Sequence, residues 1–82
     1  MFKKQSTIRI VYDVKNDIKS LGAASRLFID KSDENFVLIG EEIIIRITKN
    51  LKTLSKRGCQ RTHKLLLRKF ETALEEFNES TK

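Results

Sequence analysis

The chain has 82 residues, 39% of them apolar and 34% charged, which is the composition of a globular protein and excludes a wholly disordered one. One domain spanning residues 1–82 is expected, and at this length it buries only about 60 to 65 percent of the surface its unfolded form exposes, so the core is small and self-association would help it. A net charge of +6 and a pI near 9.7 point to phosphate, anionic headgroups or an acidic protein face as contacts, while the lone Cys59 rules out an internal disulfide and suits a reducing cytoplasm.

The first five residues, Met1-Phe2-Lys3-Lys4-Gln5, lack the apolar core of an export signal and are expected to fray. Ile8, Ile10, Tyr12 and Val14 then alternate with Arg9, Val11, Asp13 and Lys15, a period of two that predicts a half-buried strand. Helix is the rival reading, because Val11, Val14, Ile18, Leu21, Ser25 and Phe28 also follow a heptad-like spacing. On the strand reading, Asn16 caps a helix running through Ile18, Leu21, Ala24, Leu27 and Phe28. The polar stretch Asp30 to Asn35 predicts a loop.

Phe36–Ile39, Gly40-Glu41 and Glu42–Thr48 predict a β-hairpin with a type II′ turn at Gly40, placing Ile43, Ile45 and Ile47 on one face. Read as a helix, the same run sets Phe36, Ile39, Ile43, Ile47, Leu51 and Leu54 on one stripe. From about Asn50 the pattern is helical, with Gly58 as a stop after Lys56 and Arg57, and Thr62 as the cap of a last helix. That helix carries Leu66, Leu67, Phe70, Ala73, Leu74 and Phe77 on its apolar side, with a fraying tail after Asn78. The fold class predicted is α+β, a small antiparallel sheet of strand, helix and β-hairpin followed by one or two C-terminal helices. The alternative is an all-α three-helix bundle.

Catalytic chemistry is poorly supplied. His63 stands four residues after Cys59, so a thiolate–imidazole pair can be drawn, but no third group orients it. One Cys and one His fall short of a zinc site, and Gly22, Gly40 and Gly58 are too far apart to cradle a phosphate. A non-enzymatic protein without metal or cofactor is expected. The run Phe36–Ile47, the most apolar in the chain, is interrupted by Gly40, Glu41, Glu42 and Arg46 and falls short of the roughly 20 residues that cross a bilayer.

Between Glu42 and Glu71 stand nine basic residues and no acidic one, more than half of the 17 in the chain. Such a run needs an acidic partner or open solvent. Two binding surfaces follow. The first joins Val37, Ile44 and Leu65, apolar side chains left over once a sheet core is filled, to a rim of Lys49, Lys52, Lys56 and Arg57, and suits a protein partner or a second copy of the chain. The second, a helix-turn-helix reading of residues 51–64, gives Arg57, Gln60, Arg61, Lys64 and Arg68 to nucleic acid. A solvated basic face on a helical hairpin is the alternative to the second, and burial of both sheet faces by the two helical segments is the alternative to the first.

The chain as a whole, opening MFKKQSTIRIVYDVKNDIKSLG and closing LLLRKFETALEEFNESTK, resembles the small lysis-inhibition accessory proteins, the antiholins, of T-even bacteriophages. The likeness extends to length and Lys/Ile/Asn-rich usage and contains no diagnostic motif, so it transfers no site residue. It implies a protein of the host bacterium's cytoplasm that binds the short cytoplasmic N-terminal region of the phage holin and delays hole formation. A positive face compatible with an acidic holin segment, or with peripheral contact to anionic headgroups, agrees with that implication.

Overall fold

A computed structural model describes residues 6–27 and 34–80, and within them the chain forms three helices: α1, Thr7–Leu27; α2, Glu34–Lys56; and α3, Gln60–Ser80. No strand occurs among the described residues, so the predicted sheet is overturned and the architecture is the three-helix alternative. Most of the expected loop, residues 30–33, lies outside the described residues, as do residues 1–5 and 81–82; Glu34 and Asn35 already belong to α2, and α3 continues past Asn78 to Ser80.

The strand expected at residues 8–14 is the first half of α1. Patterns of period 2 and period 3.6 both place i and i+4 on one side, and Ile10 and Val14, which are fully buried, satisfy either. The two are separated by Ile8 and Tyr12, which a strand would bury beside them and which are instead 83% and 59% exposed. Burial continues without a break through Leu21 and Ser25, whose hydroxyl donates to the Leu21 carbonyl at 3.1 Å. The cap is Ser6, whose Oγ accepts from the Arg9 amide at 3.2 Å while its carbonyl accepts from Ile10, and Asn16 is an exposed residue in mid-helix.

The expected hairpin is likewise continuous helix. Phe36, Gly40, Ile43, Ile47, Leu51 and Leu54 form the buried stripe of α2, and Ile45, assigned with Ile43 and Ile47 on the hairpin reading, is 66% exposed. Gly40 is not a turn residue. It is buried where α2 crosses α3, and a Cβ built there would overlap the Phe77 ring, so glycine lets the two helices approach. Phe77 also packs on Phe36, ring centroids 5.1 Å apart. The Ile39 position of the helical stripe falls at its edge, partly exposed.

Gly58 ends α2 in the left-handed region, φ 81°. The Gly58 amide donates to the Ser55 carbonyl and the Cys59 amide to the Leu54 carbonyl, both at 3.1 Å, the paired bonds of a Schellman cap. α3 starts at once, at Gln60 rather than after a cap at Thr62, with the His63 amide donating to the Cys59 carbonyl. Its buried stripe is Leu66, Phe70, Ala73 and Phe77, flanked by the part-buried Leu67 and Leu74.

Cross-helix contacts fix the directions. The Arg57 guanidinium donates to Thr7 Oγ1 at 3.1 Å and Arg46 meets Asp17 at 3.4 Å, so α2 runs antiparallel to α1. Arg26 pairs with Glu76 at 3.7 Å, tying the C-terminal ends of α1 and α3 together. The result is an up-down-up bundle in which every helix packs on both others.

Candidate docking groove

Among the described residues, those of α1 and α3 alone line a furrow that runs between these two helices. Its larger part, about 480 Å³, takes Ile8, Val11 and Lys15 from α1 and Leu65, Leu66 and Lys69 from α3, with Thr7 and Thr62 at one end. A second hollow of about 350 Å³ shares Lys15 and Lys69 and adds Tyr12, Asn16, Ile18 and Lys19. Val11, Ile18 and Leu66 belong to or pack against the core and form the floor; Ile8, Tyr12 and Leu65 stand up from the walls, 56% to 83% exposed. Among the described residues, three lysines line the furrow and no carboxylate does.

This arrangement holds an apolar strip between cations. It offers an amphipathic helix a place to lay its aliphatic side, with acidic residues reaching the lysines at the edges. Groups for catalysis do not converge there. Cys59 and His63 are joined by a backbone bond, 2.9 Å from the His63 amide to the Cys59 carbonyl, and no hydrogen bond links their side chains. Among the described residues, no cluster of His, Cys, Asp and Glu has the number and proximity to hold a metal, and no helix is long and apolar enough to cross a membrane.

The sequence-predicted residues separate. Leu65 lies in the groove. Val37 and Ile44 do not stand on a free sheet face, since the sheet is absent; both pack partly against the core from α2. Lys49, Lys52 and Lys56 are exposed along the C-terminal half of α2, and none of them lines the hollow that holds Leu65. Arg57 is part-buried in its bond to Thr7. Of the nucleic-acid set, Arg61, Lys64 and Arg68 share the exposed stripe of α3, whereas the Gln60 side-chain Nε2 donates to the Ser55 carbonyl at 3.2 Å and so closes the end of α2.

Ile8, Tyr12, Lys15, Lys19 and Lys69 are the groove residues that sequence reasoning missed. The spacing Ile8–Tyr12 and Lys15–Lys19, each i to i+4, marks one helical side, but the strand reading kept Ile8 and Tyr12 with Ile10 and Val14, set Lys15 on the opposite face and left Lys19 to a separate helix. Comparison with protein-family models, curated proteins and solved structures finds no match to the chain. The groove therefore has to be interpreted from its own chemistry.

Proposed function

We propose that this protein is a non-catalytic docking module whose α1–α3 groove receives an acidic amphipathic segment of a protein partner. The resemblance to the T-even antiholins names that partner as the cytoplasmic N-terminal region of a phage holin, so that the protein works in the cytoplasm of the host bacterium and delays lysis. The observation that carries the reading is the pairing of exposed Ile8, Tyr12 and Leu65 with Lys15, Lys19 and Lys69 in a furrow that no carboxylate of the described residues lines. Apolar contact supplies affinity that survives moderate salt, and the lysines supply orientation and association rate.

A nucleic-acid reading is favoured by one observation, the exposed stripe of Arg61, Lys64 and Arg68. The same stripe continues into Glu71, Glu75 and Glu79, which would face phosphates with the wrong sign. Fluorescence anisotropy with a labelled holin N-terminal peptide and with duplex DNA, from roughly 50 to 200 mM salt, separates the two. The docking reading expects peptide binding that persists across this range and weakens about tenfold or more in Lys15→Glu/Lys69→Glu. DNA binding that fades steeply with salt and disappears in Arg61→Glu/Lys64→Glu, without peptide binding, would replace it.

A further inference from the structure

We infer that a second copy of this chain can occupy the groove, inserting the exposed face of α2 to give head-to-tail self-association; this rests on the groove being a docking surface. Six large hydrophobic side chains are exposed among the described residues, and five of them fall on just two surfaces. Ile8, Tyr12 and Leu65 stand in the groove, and Leu38 and Ile45 stand on the solvent side of α2, 59% and 66% exposed. Leu38 and Ile45 are seven residues apart, two helical turns, so they project the same way about 10 Å from each other along the axis.

Charge matches the apolar pattern. Around Leu38 and Ile45 stand the exposed Glu34, Glu41 and Glu42, and residues 34–45 contain no Lys or Arg. The N-terminal half of that face, before the exposed Lys49 one turn beyond Ile45, is acidic and aliphatic and has the composition the lysine-lined furrow calls for, on a molecule whose net charge is +6. Helix-in-groove recognition uses apolar anchors at just such i, i+7 spacing.

Geometry decides between closure within a molecule and assembly between molecules. The α2 face and the α1–α3 groove lie on opposite sides of the bundle, so they cannot meet within one chain. The contact they form is heterologous: one copy presents its α2 face and keeps a free groove, the next presents its groove and keeps a free α2 face. A holin segment and a neighbouring copy would compete for the same furrow, so partner binding would disperse the assembly.

Sedimentation velocity on the full chain and two variants tests this. Leu38→Ser/Ile45→Ser removes the inserting face and Lys15→Glu/Lys69→Glu disables the groove; all four residues are exposed on helices, and circular dichroism checks that each variant stays helical. The unmodified chain is expected to sediment faster as its concentration rises toward roughly 1 mM, the range of a weak contact. Each variant alone should remain monomeric, and an equimolar mixture should form a dimer and stop there, because one intact groove meets one intact α2 face. A monomeric unmodified chain, assembly by either variant alone, or a mixture without dimers would overturn the inference. A holin peptide that binds a chain shown to be monomeric would sink self-association and leave the docking reading standing; self-assembly without peptide binding would do the reverse.

Discussion

Ile45 and Ile47 differ by two positions and by nearly their whole exposure, and that contrast separates a helix from a hairpin at this place in the chain. Ile47→Ala should cost about 2–5 kcal/mol, whereas Ile45→Ala should stay within about 0.5 kcal/mol, read by denaturant unfolding. Equal losses would restore the hairpin. Gly40 supplies a second test. Gly40→Ala should destabilise by about 1–3 kcal/mol through its overlap with Phe77, and in a Phe77→Leu background the same change should cost much less. From sequence, Gly40 beside Glu41 and between β-branched runs carried every sign of a turn; the ring it accommodates comes from α3, 37 residues later, and nothing local announces it.

At the scale of elements, α3 and the end of α2 were legible because their signals agree: a 3.6-residue apolar stripe and a glycine after basic residues. α1 and α2 were not, because both are rich in Ile and Val, whose β preference competes with a helical spacing that only tertiary packing enforces. Misreading the start of α1 also misplaced its cap. Ser6→Ala should lower stability by about 1 kcal/mol, while Asn16→Ala, a better helix former in mid-helix, should raise it by about 0.5 kcal/mol, both by thermal or urea unfolding. A substantial loss on changing Asn16 would place the helix start there.

On the scale of the whole molecule, the candidate site exists only once α1 and α3 are known to lie side by side and parallel. Leu65 was visible from sequence as a leucine off the apolar stripe, but Ile8, which lines the same hollow, and Tyr12, which lines the adjoining one, come from more than 50 residues away. The basic run in the sequence points to Lys49, Lys52 and Lys56; the lysines that border apolar surface in the groove are Lys15, Lys19 and Lys69, two of them outside that run. Charge density in sequence located cations, and packing determined which of them stand beside something to bind. Nuclear magnetic resonance titration of the labelled protein with a holin N-terminal peptide tests this most directly. The predicted result is that amide shifts concentrate at Ile8, Tyr12, Lys15, Leu65 and Lys69; shifts gathered instead along Arg61, Lys64 and Arg68, or on the basic end of α2, would contradict it.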